Sequence, residues 1–336
     1  MLKPLLAITL GDINGVGPEI LAKALAHPEV WAQCRPLVIG SAKAYEQARA
    51  LVGRGPSAQT VETPDEADAI IAAGAVPFLE GEVQAPAVQF GALDPAAAKC
   101  ALAWLDLAVE LAMRGDVAGI VTCPLNKAGI HQAGYAFQGH TDYIAEKLGA
   151  PDYRMCLFAG NLRVVHNTAH LPLREALDWI TPERVAATIR VADAGLRQMG
   201  ARRRRIAVAG LNPHAGESGA FGREEIEAIA PAVKRCSAEG VDCSGPYPPD
   251  TLFGKLRDGE FDLVVAMYHD QGHIPVKLVA MDEGVNVTLG IPIVRTSVDH
   301  GTAYDIAGTG KARENSLCAA IALAAAMASR AQEVTR

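Results

Sequence analysis

Aromatic residues are scarce, at 5% of 336, and so are long hydrophobic runs. The first apolar stretch, Leu5-Leu6-Ala7-Ile8-Thr9-Leu10, is far too short to span a bilayer and is followed by no signal-peptide cleavage pattern. A membrane role is not expected, and the expected location is cytoplasmic. The seven cysteines (Cys34, Cys100, Cys123, Cys156, Cys236, Cys243 and Cys318) are odd in number, scattered, and contain no C-x-x-C pair. That excludes a disulfide framework and a thiolate zinc site, and suits reduced thiols. Basic charge is not in excess. The net charge of -7 is spread along the chain, so no overall field recruits nucleic acid or an anionic surface. The one basic block, Arg202 to Arg205, reads as a solvated connection. Repeats and low-complexity segments are absent, as is H-E-x-x-H. The glycines of "GDINGVGPEI", at 11, 15 and 17, fit neither G-x-G-x-x-G nor a P-loop, so a dinucleotide must bind by another scheme.

What remains is a chain that is 50% hydrophobic, suited to Ala- and Gly-rich lobes with sizeable cores. Short apolar runs at 35–40, 117–122, 204–210 and 261–267 alternate with longer Ala/Leu/Glu/Lys/Arg stretches. Continuous apolar runs are what strands covered on both faces require, so the fold class is α/β with a mainly parallel sheet flanked by helices. Ala96 to Met113 is expected to be helical, because Leu102, Leu105, Val109 and Ala112 recur at helical spacing and Arg114-Gly115 stops it.

In such sheets ligands collect beyond the carboxyl ends of the strands. Three histidines stand there: His170 in "RVVHNTAH", His214 in "IAVAGLNPHAGE" and His269 in "LVVAMYHDQGH". Three imidazoles with an open position match a site for zinc or a similar transition ion. His166 is a rival to His170, which lies nearer the Leu171-Pro172 loop. A second constellation suits anions. His140 and Thr141 precede a helix-like run whose N-terminus offers free N–H groups, while Lys277, Arg295 and His300 add positive groups nearby in motif. Together they suggest a small, doubly anionic substrate. The stretch "DHGTAYDIAGTGKA" at 299–312 offers backbone donors beside Asp305, suited to an adenosine and its ribose hydroxyls.

The motifs "GDINGVGPEI", "GHTDY", "AHLPL", "LNPHAGE", "MYHDQGHIPVK", "GVNVTLG" and "RTSVDHGTAYDIAG" come in the order found in the 4-hydroxythreonine-4-phosphate dehydrogenases of pyridoxal phosphate biosynthesis. The chain resembles that family over nearly its whole length. "GPEI" and "HGTAYDIAG" also resemble the isocitrate and isopropylmalate dehydrogenases, whose dinucleotide site has no Rossmann fingerprint. The resemblance implies a two-lobed α/β/α subunit with its cleft between lobes, one lobe from 1–129 and 281–336 and the other from 130–280. It implies a homodimer with active sites at the interface. One divalent metal (zinc, cobalt, manganese or magnesium) would be held by His170, His214 and His269, one of them given across the interface. Substrate contacts would fall on His140, Thr141, Lys277, Asn286 and Arg295, and NAD or NADP on His300, Gly301, Thr302 and Asp305. Lys277 and His269 would serve catalysis, Lys277 by assisting proton transfer. Oxidation followed by decarboxylation would yield 3-amino-2-oxopropyl phosphate in the vitamin pathway.

Two departures bear on substrate. Ile13 stands where proline is common, and His273-Ile274 resembles relatives acting on D-threonate or D-erythronate 4-phosphate. A related branch oxidises the cis-dihydrodiol of terephthalate. A metal-dependent phosphohydrolase or a silent nucleotide-binding protein fits less well, because the dinucleotide-loop resemblance has no role in a hydrolase and the ligand candidates are intact.

Overall fold

The computed structural model describes residues 2–137 and 139–334. Its strands are β1 (Leu5–Thr9), β2 (Arg35–Ile39), β3 (Ala58–Thr60), β4 (Val76–Leu79), β5 (Gly119–Thr122), β6 (Arg154–Ala159), β7 (Leu162–His166), β8 (Ile206–Ala209), β9 (Cys243–Tyr247), β10 (Leu263–Ala266), β11 (Val285–Leu289) and β12 (Arg295–Val298). The apolar runs singled out in the sequence are β1, β2, β5, β8 and β10. The chain divides into two compact units, residues 1–149 with 292–336 and residues 150–291.

In the first unit the strand order is β3-β4-β2-β1-β5-β12, every pair parallel. β1 is buried along its whole length, as a strand covered by helices on both faces must be. The predicted helix runs Pro95–Arg114. Asp94 caps it by accepting the Ala96 N–H, Pro95 sits at the first position where its missing N–H is no loss, and Gly115 ends it in the left-handed region at φ 82°. In the second unit the order is β11-β6-β7-β10-β8-β9. β11–β6 and β6–β7 are antiparallel and the other pairs parallel. Its core gathers Leu157, Val164, Ala207, Leu252, Leu256, Val264 and Val276.

Sequence places the crossings between lobes near Gly129 and Met281, whereas the units change at Gly149/Ala150 and Ile291/Pro292. Side-chain bonds explain the first. Tyr143 and Lys147 on the helix His140–Lys147 both donate to Asp106 of the Pro95–Arg114 helix, at 2.6 Å each. Backbone pairing explains the second, since β11 runs its full length against β6. No helix among the described residues is long and apolar enough to cross a membrane.

The helix Pro182–Gln198 depends on a single cap, the Thr181 hydroxyl accepting the Arg184 N–H at 3.2 Å. Thr181→Ala is expected to cost about 1 kcal/mol, read as a lower urea midpoint with an unchanged slope.

Candidate functional site

Polar side chains gather at strand ends in each unit. In the first, Arg295 opens β12 and is 1% exposed. Its Nη2 donates to the Thr122 hydroxyl at the end of β5, at 2.7 Å, and its Nη1 to the Thr141 hydroxyl at 3.2 Å. Burial lowers its pKa to about 9, against the opposing pull of Asp142. A guanidinium so stripped of water favours an anion strongly. His140 is the first residue of the helix His140–Lys147, where N–H groups lack intrahelical partners. Burial first, then the charges of Arg295 and Lys127, hold its pKa well below the usual histidine value. Its Nε2 atom is buried with no hydrogen-bond partner among the described residues.

The 299–312 segment of the same unit is tied at its start. Val16 N–H donates to the Thr302 carbonyl at 3.0 Å. Gly15 permits that approach, for a Cβ there would lie 2.9 Å from the Thr302 Cβ. Asn126 Nδ2 donates to the Thr302 hydroxyl at 3.4 Å and His300 Nδ1 to the Gly301 carbonyl at 2.9 Å. Tyr304 donates its hydroxyl to the buried Asp12 carboxylate at 2.5 Å. Burial raises the Asp12 pKa, partly offset by that bond and by the Asn14 N–H. Asp305 and Gly301 stay exposed, available to a ligand.

The second unit holds the imidazoles. His269 does not sit in a loop; it is the first residue of the helix His269–Ala280, so His269, His273 and Lys277 recur at four-residue spacing along one face. Gln271 fixes the helix start, accepting the Met267 N–H at 2.6 Å and donating to the Gly210 carbonyl at 2.7 Å. His269 Nδ1 is 2.7 Å from Asp270 Oδ1. A carboxylate can only accept from that nitrogen, which leaves the lone pair on Nε2 for a metal. The His170 ring lies 5.7 Å from the His269 ring between centroids.

His166, the rival, ends β7 fully buried. Its Nδ1 is 3.3 Å from the Met155 carbonyl, which can only accept, so its Nε2 accepts from His273 Nδ1 at 3.1 Å. Both His166 nitrogens are thereby used within the fold. Burial takes its pKa down to about 4, and burial followed by neighbouring histidines lowers His273 as well. His273 in turn stacks on His269, centroids 3.7 Å apart and planes within 10°. A Cβ on Gly272 would collide with His166 Nε2 at 2.5 Å, so the helix can approach β7 only with glycine there.

His214 is placed differently. His214, Ala215, Glu217 and Ser218 all have positive φ, between 44° and 58°, a left-handed turn that costs non-glycine residues on the order of 1–3 kcal/mol each. Buried Glu225 holds the approach to this turn, its Oε1 accepting the N–H groups of Leu211 and Asn212 at 2.7 Å. The exposed His214 ring stands edge-on to Phe221 at 6.1 Å. Among the described residues no group of three His, Cys, Asp or Glu side chains is gathered to hold a metal. Within one chain, two of the three expected ligands, His170 and His269, lie near one another. Lys277 is half-buried, and Asn286, on β11, keeps a buried Oδ1 without a partner among the described residues.

Sequence reading passed over Asp12, Tyr304, Asn126, Glu225 and the His166–His273 bond. Each is recognisable only by what folding brings beside it, although "MYHDQGH" carried the four-residue histidine spacing.

Comparison with known proteins gives the class. The chain is 45% identical to the D-threonate 4-phosphate dehydrogenase of Cupriavidus necator, over 97% of this chain and 98% of that one. It is also 45% identical to the 4-hydroxythreonine-4-phosphate dehydrogenase of Desulfosudis oleivorans, over 96% and 95%. The crystal structure of 4-hydroxythreonine-4-phosphate dehydrogenase from Klebsiella pneumoniae superposes with a TM-score of 0.86 at 42% identity, covering 97% of this chain and all of that one. By this kinship the chain is an oxidoreductase, an α/β dehydrogenase that needs a nicotinamide cofactor to take the hydride. It belongs to the family of the pyridoxal phosphate biosynthetic protein PdxA, which it matches over residues 32–324.

Glu225 supplies a test of the loop that carries His214. Burial raises its pKa, but the bonds from Asn212 and the backbone N–H groups outweigh that and the net shift is downward. A carboxylate with a depressed folded pKa contributes stability that is complete above the ordinary value of 4.5 and is lost as pH falls through the folded value. Denaturant stability measured against pH should therefore drop below that point in the parent chain and drop less steeply in Glu225→Gln, where Asp262 and Glu314, also held below their ordinary values, still contribute.

Proposed function

We propose that the chain oxidises the secondary alcohol of a 4-phosphorylated hydroxy acid, such as D-threonate 4-phosphate, D-erythronate 4-phosphate or 4-phosphooxy-L-threonine, with NAD (or NADP) and one divalent metal (zinc, cobalt, manganese or magnesium), as a homodimer. One observation carries the reading: a desolvated Arg295 guanidinium fixed by Thr122 and Thr141, beside a buried His140 Nε2 that has no partner among the described residues. A buried polar atom without a partner is costly unless a ligand satisfies it. Arg295, His140 and Thr141 suit a phosphate in this reading; of the other substrate-contact candidates, Asn286 Oδ1 suits a hydroxyl and Lys277 a carboxylate. Lys277 also moves the alcohol proton.

The donor set suits a metal. His170 and His269 offer imidazole nitrogens, and His214 of a second copy completes them. When bound, the ion supplies Lewis-acid stabilisation of charge developing on the alcohol oxygen, and the nicotinamide accepts the hydride. Asp270 keeps the His269 lone pair outward, and the His273 ring holds its plane. Where the product is a β-keto acid, the same groups suit loss of carbon dioxide. The dinucleotide rests on His300, Gly301, Thr302 and Asp305 in this reading.

A second copy is supported by a face of the helix His269–Ala280 and its continuation. Ile274, Leu278, Val279 and Met281 are all more than half exposed, and Ile274, Leu278 and Met281 follow helical spacing. Such a stripe seeks cover.

Reduction of NAD with a panel of these phosphorylated acids and a cis-dihydrodiol tests the class. Turnover of the phosphorylated acids is expected; turnover of the unphosphorylated diol alone would overturn the phosphate reading. Arg295→Ala should lower kcat/KM for phosphorylated substrates roughly tenfold to over a hundredfold, the equivalent of about 1.5–3 kcal/mol, in protein shown to be folded by circular dichroism. Mixing inactive His214→Ala with inactive His269→Ala subunits should restore activity in heterodimers. No recovery after confirmed subunit exchange would mean that each site is built within one chain.

A further inference from the structure

Glu19 and Lys23 are among the most deeply buried charges of the first unit, 0% and 7% exposed, one turn apart on the helix Gly17–Ala24. Buried charges are rare unless partnered. The partner here is backbone, and all of it belongs to one loop. Glu19 Oε1 accepts the Gly308 N–H, and Oε2 accepts the Gly310 N–H at 2.9 Å. Lys23 Nζ donates to the Gly310 carbonyl at 2.7 Å and to the Ala312 carbonyl at 2.5 Å. Gly310 is thus gripped on both sides, its N–H by the carboxylate and its C=O by the ammonium. Gly308 and Gly310 lie in the left-handed region at φ 75° and 71°, which turns both N–H groups toward one acceptor in the manner of an anion nest.

The same helix meets the other end of the segment through Val16 and Thr302. Beyond the grip, Glu314 accepts Arg54 Nη2 at 2.7 Å and approaches His27 Nε2 at 3.1 Å. The loop is therefore held at both ends while His300, Gly301 and Asp305 remain exposed.

We infer that Glu19 and Lys23 are positioning residues for the dinucleotide, a two-charge clamp that fixes the backbone of 308–312 so that the exposed side of the loop is formed before the ligand arrives. This rests on the assignment of 300–305 to the dinucleotide. A loop ordered in advance loses less conformational freedom on binding. Loosening the clamp is expected to weaken dinucleotide binding by about tenfold while sparing the Arg295 site. The two charges also depend on one another. Removing one leaves its opposite buried among fewer compensating charges, so the paired substitution is milder than the product of the single ones.

NADH binding and, separately, inorganic phosphate binding are measured by calorimetry on the full-length enzyme carrying Glu19→Gln, Lys23→Met, both together, or Asp305→Ala, with melting curves for each. Each single substitution is expected to raise the Kd for NADH about tenfold and leave that for phosphate unchanged, with the double variant recovering part of the loss. If Asp305→Ala weakens NADH but the clamp variants only melt earlier and bind NADH as the parent does, the clamp is overturned and the loop assignment stands. If Asp305→Ala leaves NADH binding intact, the loop assignment falls, and the clamp's role in dinucleotide binding with it.

Discussion

A charge taken out of water must meet its partners already in place, and this chain meets that demand by building parts of its candidate sites around buried ionic groups. Arg295 is received by two threonine hydroxyls, Glu225 by two N–H groups and an amide, and Glu19 and Lys23 by four groups of one loop. Loops such as 211–216 and 299–312 have no ladder to fix them. A buried carboxylate does so because it accepts several N–H groups at once and strongly resists being left without them. Rigid sheets and single-geometry loops follow from the same requirement, that no buried polar group be left unpaired.

The exceptions then acquire meaning. His140 Nε2 and Asn286 Oδ1 are buried and have no partner among the described residues, in a protein that elsewhere ties its loops with such care. The left-handed turn at His214 is the corresponding exception for backbone strain. Strain of that kind persists where surrounding structure over-determines it, and Glu225 is the surrounding structure here. His140, Asn286 and His214 are all residues that the sequence marks as site candidates, whereas Arg163, whose Nε is likewise buried without a partner among the described residues, is not.

The sequence made the regular parts legible. Doubly buried strands are written as continuous apolar runs, and Asp94, Pro95 and Gly115 bracket a helix whose ends agree with the sequence reading within a residue. The crossing points were harder, because Tyr143 and Lys147 attach their helix through Asp106, a contact between residues distant in sequence. The placement of His269 at a helix start rather than in a loop was open to a closer reading. "HDQGHIPVK" repeats polar groups every four residues, but Pro275 and Gly272 argue locally against a helix. Tertiary packing prevails, since Gly272 is what lets the helix lie against His166. The His166–His273 bond was illegible for a different reason. Nothing local distinguishes a histidine at a strand end that faces inward from one four residues later that stays exposed.

The missing dinucleotide fingerprint has a physical cause in the same helix that carries the clamp. In a Rossmann unit the first strand leads through a glycine turn into a helix whose positive end takes the pyrophosphate. Here β1 leads through "GDINGVGPEI" into the helix Gly17–Ala24 in much the same way, yet Glu19 occupies its first turn. A buried carboxylate there sets negative charge against the positive end from within and disfavours an approaching phosphate. The Glu19 carboxylate is in turn engaged in ordering the backbone at Gly308 and Gly310, and Gly15, which a Rossmann turn would turn toward a ligand, lies against Thr302. The groups left exposed lie on the loop that the helix holds, at His300, Gly301 and Asp305, and not on the helix itself, which is buried along its length.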